Sequence, residues 1–367
     1  MRDHYIAKGQ RPVPVIIPAY EPDDRLLALL RGLVPQAPGP VILVDDGSGP
    51  GWGRIFQKAQ ELIRPGGGCL LTHPKNCGKG RALKTAFAYV EQSLPDSIGV
   101  VTADSDGQHT VDCIRRTAAA LIEHPDSLIL GVRTFDGEDV PWKSAAGNRL
   151  TTAVLKFVSG TELRDTQTGL RGIPFSFLRE LQDVKGERFE FEMRMLLKAI
   201  DCRPIRQIPI QTVYDSKGHH QTHFRPFLDS IRIYRILGER FFKFIASSLS
   251  SALLDLVLFS LFHRLWEPVL SVQAVMAATI AARILSASYN YIVNYRFVFH
   301  SGEKASAAGW KYFLLAAVQM FLSGMLATGL AKAVPRLPAA GIKAAVDTTL
   351  FFISYIIQRR LIFRPAH

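Results

Sequence analysis

The chain has 367 residues, enough for two domains, and carries a formal net charge of +12. The charge is unevenly distributed, because residues 241–367 contain 12 Lys or Arg and 4 Asp or Glu, whereas residues 1–240 contain 32 and 28. Most of the excess positive charge therefore lies in the part with the fewest charged residues. This distribution argues against nucleic acid as a partner and favours basic flanks around membrane spans.

The four cysteines are scattered along the chain and form no Cys-x-x-Cys pair. This spacing predicts reduced thiols rather than a disulfide framework or a cysteine metal site. Residues 1–10 lack the apolar core of a signal peptide, so we expect the first domain to stay in the cytoplasm.

Short apolar runs alternate with helix-like segments from residue 13 onward. The runs lack strict alternation, as is typical of buried parallel strands, and comprise residues 13–18, 41–44, 69–72, 98–103 and 128–132. The helix-like segments lie near residues 23–33, 52–63, 79–94, 110–123, 143–158 and 189–201, and residues 203–214 have the pattern of a late strand. This order predicts an α/β domain with a mostly parallel sheet, whose ligands bind at the carboxyl ends of the strands.

Polar residues follow three of the predicted strands at the point where each strand ends. The motifs are Pro18-Ala19-Tyr20-Glu21, then Asp45-Asp46-Gly47-Ser48, then Asp104-Ser105-Asp106-Gly107-Gln108-His109. Each motif alone also occurs in ordinary turns. At successive strand ends, however, two carboxylates one residue apart suit a hard cation that is held jointly by protein and phosphates.

The segment Asn76-Cys77-Gly78-Lys79-Gly80-Arg81 follows the third predicted strand and opens a helix. Its glycines allow close approach of a ligand, and a helix N-terminus with two basic residues favours phosphate oxygens. A Walker loop would need a longer glycine spacing that ends in Gly-Lys-Ser/Thr. The alternative interpretation is a basic turn that binds no ligand.

Residues 224–243 have the pattern of a basic amphipathic helix. Such a helix would lie on an anionic membrane surface, or else pack on its own domain. Four apolar segments follow, each close to the length that spans a bilayer, at about residues 244–262, 269–293, 312–333 and 341–358. The even number of spans and the bias of basic residues place the first domain and both termini in the cytoplasm.

Two charged residues, Asp255 and Arg283, lie near the middle of consecutive predicted spans. An isolated charge at that depth costs roughly 2.5–3.5 kcal/mol on insertion scales. We therefore expect the two side chains to pair inside the membrane.

The succession of motifs resembles the family 2 glycosyltransferases of GT-A fold, and within them the polyprenyl-phosphate glycosyltransferases such as dolichyl-phosphate mannose synthase. The resemblance covers residues 12 to 240 and includes the motifs at 165–172 and 189–193. Residues from 241 on resemble the GtrA-type four-helix membrane domain, most clearly at 290–299 and 355–360. The expected domains are therefore a GT-A domain at 1–223, a juxtamembrane helix at 224–243 and an all-α domain of four spans at 244–367.

The resemblance also implies roles for individual residues. Asp104, Asp106 and Gln108 would hold a divalent cation, Mg²⁺ or Mn²⁺, together with the donor diphosphate. The donor nucleotide would be bound by residues at four strand ends, namely Pro18, Tyr20, Glu21, Asp46, Lys79 and Asp104. The acceptor phosphate would be bound by arginines, namely Arg133, Arg149 and Arg225, and the residues expected to serve catalysis are Asp104, Asp106, Arg133 and Arg149. Pro22 stands where the family often has Asn-Glu after the aromatic residue, which leaves base recognition open.

The reaction that the resemblance implies is transfer of a hexose, with inversion, from UDP-glucose or GDP-mannose to undecaprenyl or dolichyl phosphate at the cytoplasmic membrane face. A processive polysaccharide synthase is an alternative, although no tryptophan of the chain lies in the Gln-x-x-Arg-Trp motif that is usual in such enzymes. A lipid-linked sugar translocase with a regulatory soluble domain is a second alternative, which the two intramembrane charges keep open. The sequence leaves open the sugar, the base, the polyprenol length and a homo-oligomer.

Overall fold

The computed structural model describes residues 11–133, 142–211, 226–270, 273–299, 301–334 and 338–363. The chain divides into two compact units, Met1–Lys156 with Thr161–Ile236, and Phe157–Gly160 with Leu237–His367. This division falls between the domain boundaries expected at residues 223 and 243, which stay predictions.

A seven-stranded sheet organises the first unit, in the order β3-β2-β1-β4-β6-β5-β7. In chain order the strands are β1 (Val15–Ala19), β2 (Val41–Asp45), β3 (Cys69–Thr72), β4 (Gly99–Thr102), β5 (Leu128–Arg133), β6 (Arg171–Pro174) and β7 (Ile205–Ile210). All neighbouring pairs are parallel except those that β6 makes with β4 and β5. The predicted mostly parallel α/β domain is therefore confirmed.

Helices connect the strands of the first unit. They are α1 (Asp24–Leu33), α2 (Gly53–Ile63), α3 (Lys79–Ser93), α4 (Val111–Glu123), α5 (Trp142–Ser159), α6 (Phe175–Gln182) and α7 (Phe189–Cys202). All residues of β1 and β2 are buried, as expected for strands covered on both faces. Ile17 and Leu43 of these strands pack with Leu30 of α1 and Phe56 of α2 in the same hydrophobic core.

Sequence patterning predicted neither the short strand β6 nor the helix α6 that follows it. Strand β6 has four residues, and Arg171 lies opposite both Thr102 of β4 and Leu130 of β5. Because β6 runs against its neighbours, its first residue lies at the edge where β4 and β5 end. The segment at residues 165–170 is therefore delivered to the carboxyl edge of the sheet.

The second unit is helical and contains most of α8 (Pro226–Leu270), then α9 (Ala274–Val293), α10 (Ala305–Ala333) and α11 (Ala339–Ile357). The predicted amphipathic helix and the first predicted span belong to one continuous helix, α8. Two stretches are long and apolar enough to cross a membrane, Tyr234–Val269 and Ala305–Ala333, each with a mean hydropathy of 1.8. Helices α9 and α11 have 20 and 19 residues, close to the length of one span.

Helices α9 and α11 both end in a π-helical turn, Asn294–Val298 and Gln358–Ile362. The first residues of the two turns are joined, since Asn294 Nδ2 donates to Gln358 Oε1 at 3.1 Å. Gln358 Nε2 in turn donates to Ser354 Oγ at 2.9 Å. Buried amides that satisfy one another in this way hold helix ends in a fixed register.

The predicted intramembrane ion pair is confirmed. Arg283 Nη2 lies 3.3 Å from Asp255 Oδ2, and Ser286 Oγ donates to Asp255 Oδ1 at 2.8 Å. A second pair was not predicted, although Lys343 and Asp347 stand one helical turn apart in α11 and interact at 2.7 Å.

The Asp255–Arg283 pair generates a prediction about stability. We expect Asp255→Asn and Arg283→Gln to lower the melting temperature singly, because each leaves an uncompensated charge in lipid. The double variant should recover part of the loss, with a coupling free energy of about 0.5–3 kcal/mol. Thermal unfolding of the purified full chain in detergent measures this coupling. The control is Arg264→Gln, an exposed position on α8, the helix that carries Asp255. Additive losses in the double variant would show that the pair does not stabilise the domain.

Candidate active site

Three strand ends meet at one edge of the sheet, as the sequence predicts. In the parallel pairs of β1, Ala19 lies opposite Asp45 of β2, and Ile16 lies opposite Thr102 of β4. The residues that follow these strands therefore share the carboxyl edge, where open α/β sheets bind ligands.

Glu21, directly after β1, has an unusual backbone conformation. Its φ of 50° lies in the left-handed region, and it is the one such non-glycine residue in the described part of the chain. The amide N–H of Glu21 donates to Ser48 Oγ at 2.9 Å, which ties the end of β1 to the turn after β2. A hydrogen bond with Glu21, followed by burial, raises the pKa of the Tyr20 phenol. Strain of this kind is held by its surroundings and occurs preferentially at functional sites.

Asp46 anchors the loop that precedes α3. Its Oδ1 interacts with His73 Nδ1 at 2.8 Å and accepts from the Cys77 amide at 3.0 Å, and its Oδ2 accepts from the Gly78 amide at 2.7 Å. Close packing requires a glycine at position 47, where a Cβ would collide with the backbone of Lys75. Asp46, which is predicted to bind the nucleotide, therefore fixes the conformation of the loop before α3.

Lys79 lies between two carboxylates. Its Nζ is 2.6 Å from Asp104 Oδ1 and 3.0 Å from Glu192 Oε2. Burial alone would lower the pKa of the Lys79 ammonium, but the two carboxylates outweigh it and raise that pKa above its usual range. Burial would likewise raise the pKa of Asp104, yet the charge of Lys79 and a hydrogen bond from His109 hold it far below its usual range. The Asp104 carboxylate therefore stays ionised at any ordinary pH.

Asp106 has the opposite electrostatic character. Burial and, second, the negative charge of Asp104 raise the pKa of the Asp106 carboxyl. Its Oδ1 accepts from the Gln108 amide at 3.0 Å, and the buried His109 Nδ1 has no hydrogen-bond partner among the described residues. The carboxylates of Asp104 and Asp106 and the side-chain amide of Gln108 offer oxygen ligands of the kind that a hard divalent cation takes.

A second group with metal-ligand chemistry consists of Asp46, His73 and Cys77, whose ligand atoms lie within 4.8 Å of one another. Its polar atoms already satisfy one another, because Asp46 accepts from two backbone amides and His73 Nε2 interacts with Thr85 Oγ1 at 2.9 Å. The oxygens of Asp46 are thus already used within the protein, and Asp104 and Asp106 stay the predicted cation ligands.

Arg133, the last residue of β5, pairs with Asp165. Its Nε and Nη2 donate to the two oxygens of this carboxylate, at 2.6 and 3.1 Å, and the Asp165 side chain is fully buried. Such a bidentate pair fixes the plane of the guanidinium group. The predicted role of Arg133 in acceptor binding stays a prediction.

Arg171 interacts with both charged groups of the site, the one at Asp104 and Glu192 and the one at Asp165. Its side chain is buried, and Nε and Nη1 donate to the carbonyls of Thr168 and Glu192 at 2.9 and 2.7 Å. Burial lowers the pKa of Arg171, although the charges of Glu192, Asp165 and Asp104 act against this.

The remaining predicted residues are placed as follows. Pro18 is buried in β1, Gln108 is partly buried after β4, and Arg149 is exposed on α5. Asn148, next to Arg149, holds the loop at Asp165 through Nδ2, which donates to the Arg164 carbonyl at 2.7 Å. Arg225 lies outside the described residues.

Sequence reasoning missed Glu192 and Gly169. Glu192 belongs to the motif at residues 189–193, but its sequence position alone assigns it no role in the site. Gly169 lies directly against Asp104, and its carbonyl accepts from Thr102 Oγ1 at 2.8 Å. Neither residue lies near the Asp-x-Asp motif in sequence, and only the antiparallel strand β6 and helix α7 bring them to it.

The packing at Gly169 generates a prediction about cation binding. A Cβ at this position would overlap both oxygens of the Asp104 carboxylate. We expect Gly169→Ala to displace that carboxylate and to weaken Mn²⁺ binding by roughly 10–100-fold, measured by titration calorimetry. Gly53→Ala, where a Cβ meets open space, is the control. Mn²⁺ affinity like that of the wild type in folded Gly169→Ala would contradict the assignment of Asp104.

Two family models match this chain, together covering both units. "Glycosyl transferase family 2" matches residues 15–182, and "GtrA/DPMS, transmembrane domain" matches residues 243–363. Both expectations from the resemblance are thereby confirmed.

Two relatives and a solved structure are similar to this chain. An uncharacterised protein of Methanocaldococcus jannaschii is 24% identical over 205 residues, 54% of this chain and 81% of that protein. The UDP-N-acetylglucosamine–dolichyl-phosphate N-acetylglucosaminyltransferase of Methanococcus voltae is 25% identical over 215 residues, 54% of this chain and 85% of the relative. A solved mannosyltransferase from Pyrobaculum calidifontis, in complex with GDP-Man and Mn²⁺, is 16% identical with a TM-score of 0.40, covering 96% of this chain and 88% of that one.

The second unit agrees with its family model, because the match to a transmembrane domain coincides with the long apolar helices. These features indicate a membrane protein. Asp104 and Asp106 of the candidate site lie within the residues of the first match. The chain therefore contains a glycosyltransferase domain of family 2, at residues 15–182, and a GtrA/DPMS transmembrane domain, at residues 243–363.

Proposed function

We propose that this protein transfers a hexose from a nucleotide-diphosphate sugar to a polyprenyl phosphate, with inversion, at the cytoplasmic face of a membrane. The observation that carries the proposal is the group formed by Asp104, Asp106, Lys79 and Glu192 at the sheet edge, in a chain that also carries a membrane domain. The activity of the Methanococcus voltae relative supports the acceptor class, since its acceptor is dolichyl phosphate.

The donor diphosphate binds beside Asp104 and Asp106, and Tyr20, Glu21 and Asp46 receive the nucleotide. Asp104 and Asp106 would hold a Mg²⁺ or Mn²⁺, whose charge would stabilise the negative charge on the departing diphosphate. Lys79 contributes positive charge at the same place, and Glu192 holds its ammonium in position through the 3.0 Å contact. Donors of the UDP-glucose or GDP-mannose type fit this arrangement of charges.

The acceptor phosphate is already anionic at neutral pH, so it needs orientation more than a general base. One of its oxygens attacks the anomeric carbon from the face opposite the diphosphate, which inverts the configuration. Arg149 is available for this orientation, because it is exposed and makes no side-chain hydrogen bond or ion pair within the described ranges. Arg133, held by Asp165, presents its guanidinium in a fixed plane.

The cation assignment generates a prediction about activity. EDTA should abolish sugar transfer by the wild type, and added Mn²⁺ or Mg²⁺ should restore it. Asp106→Ala should lower the transfer rate on the order of 100-fold or more, because one ligand of the charge-stabilising group is lost. Radiolabelled transfer to polyprenyl phosphate measures the rate. Asp112→Ala removes an exposed carboxylate nearby and is the matched control. Full activity in EDTA would refute the cation requirement.

The acceptor assignment generates a separate prediction. Charge-assisted hydrogen bonds contribute roughly 1.5–3 kcal/mol, so Arg149→Lys should raise KM for polyprenyl phosphate about ten-fold or more. Donor hydrolysis should change little, because the nucleotide contacts lie elsewhere. Arg54→Lys, an exposed arginine on α2, controls for general loss of guanidinium groups. An unchanged acceptor KM in Arg149→Lys would remove this residue from the acceptor site.

A further inference from the structure

The second unit contains a buried arginine that forms no ion pair with any described residue. Arg359 lies in the π-helical turn Gln358–Ile362, and only 7% of the residue is exposed. Its Nε, Nη1 and Nη2 atoms are all buried, and none has a hydrogen-bond partner among the described residues. A guanidinium group stays protonated under all physiological conditions and has five N–H donors. Apart from an electrostatic interaction with the Tyr355 side chain, this arginine therefore has no partner for its donors among the described residues.

The guanidinium lies between the backbone at Gly160 and the ring of Tyr355. A Cβ at Gly160, where φ is +80°, would come within 3.1 Å of Nη2 and 3.3 Å of Nε. The ring of Tyr355 faces the other side, 5.6 Å from the guanidinium carbon, and its hydroxyl donates to the Val158 carbonyl at 3.1 Å. The glycine leaves room against one face, and the aromatic ring gives the other face a weak electrostatic contact.

The local charge is positive. Arg240 and Arg360 act electrostatically on Arg359, and both repel it. A buried, unpartnered charge in such a field is costly, so its retention calls for a compensating anion. A phosphate matches this requirement best, because a guanidinium fork binds two of its oxygens at once.

The position along the helix indicates where that phosphate comes from. Arg359 follows directly after α11, whose 19 residues span about 28 Å, close to the thickness of the hydrocarbon layer. The neighbouring core consists of aromatic rings, namely Phe244, Phe299, Tyr312, Tyr355 and Phe363. Aromatic rings and arginines at the end of a span are typical of the interface, at the level of lipid headgroups.

We propose that Arg359 binds the phosphate of a membrane lipid, in a site formed by Arg359, Tyr355 and the backbone at Gly160. This inference rests on the proposed function in so far as the lipid is the polyprenyl phosphate acceptor. The transmembrane domain then takes part in substrate recognition, and not only in anchoring. A phospholipid headgroup carries the same chemistry and is the other source of such a phosphate.

Ligand-induced thermal stabilisation of the purified full chain in detergent tests the site. The probes are a short-chain polyprenyl phosphate, phosphatidylglycerol and inorganic phosphate. The variants are Arg359→Gln and Arg359→Lys, and the matched control is Arg360→Gln, which removes the same charge from the exposed neighbour. Arg359→Lys keeps the positive charge but loses the fork, so it provides the measurement even if Arg359→Gln does not fold.

We expect both Arg359 variants to bind the lipid phosphate about ten-fold more weakly, or worse, than the wild type. Without ligand, Arg359→Gln should melt at or above the wild-type temperature, because it removes an uncompensated buried charge. An arginine with a purely structural role would instead destabilise the ligand-free protein when replaced. Arg360→Gln should stay within about two-fold of the wild type in lipid affinity, as expected for an exposed charge.

Stabilisation by polyprenyl phosphate alone identifies the acceptor, and equal stabilisation by phosphatidylglycerol identifies a bilayer headgroup. Wild-type affinity in the Arg359 variants, or an equal loss in Arg360→Gln, overturns the proposal. Inorganic phosphate that binds as tightly as the lipids overturns the lipid assignment. Sugar transfer is measured separately, so a wild type that binds polyprenyl phosphate through Arg359 but transfers no sugar refutes the proposed function and not this site.

Discussion

The ion pairs of Lys79 hold the candidate site together. This residue begins α3, and its ammonium contacts Asp104 after β4 and Glu192 in the first turn of α7. Three elements from distant parts of the chain thus converge on one nitrogen atom. Neighbouring charges lower the pKa of Asp104, whereas burial and the charge of Asp104 raise the pKa of Asp106. The site therefore has one carboxylate that is ionised and a second whose ionised form a bound cation would stabilise. The arrangement places negative charge where a donor diphosphate needs a metal ion and positive charge where it needs a counter-charge.

The antiparallel direction of β6 determines which residues surround Lys79, Asp104 and Glu192. A parallel strand at this place would carry residues 165–170 to the opposite edge of the sheet. Running antiparallel, β6 brings Gly169 against Asp104 and Asp165 against Arg133. Its first residue is the buried Arg171, whose positive charge interacts with the charges of Glu192, Asp165 and Asp104. The site therefore depends on both a parallel half of the sheet, which presents the strand ends, and this one reversed strand, which closes them in.

The sequence predicted the parts of this site that are local in the chain. Strand-end motifs such as Asp104 to His109 can be recognised in the sequence because the apolar strand and the polar residues after it are contiguous. Glu192 could not be found in that way, since its contact with Lys79 spans more than a hundred residues and its helix has an ordinary amphipathic pattern. Strand β6 has four residues and ends in Pro174, too short for a periodic signal. In α8 the pattern changes from amphipathic to apolar near residue 243, but nothing there breaks a helix, so polarity marked a change of environment and not an end of structure.

The charges of the membrane domain divide into two kinds, and the division bears on what the domain does. Asp255 and Arg283 neutralise one another, as do Lys343 and Asp347, so these residues meet the cost of a charge in lipid by pairing. The translocase hypothesis drew on the first of these pairs, and a pair that is satisfied within the protein no longer needs a transported ligand to explain it. Arg359 is different, because all its donors are buried and none is used among the described residues. A group whose charge is left uncompensated at the end of a span points to a lipid anion rather than to a path through the membrane.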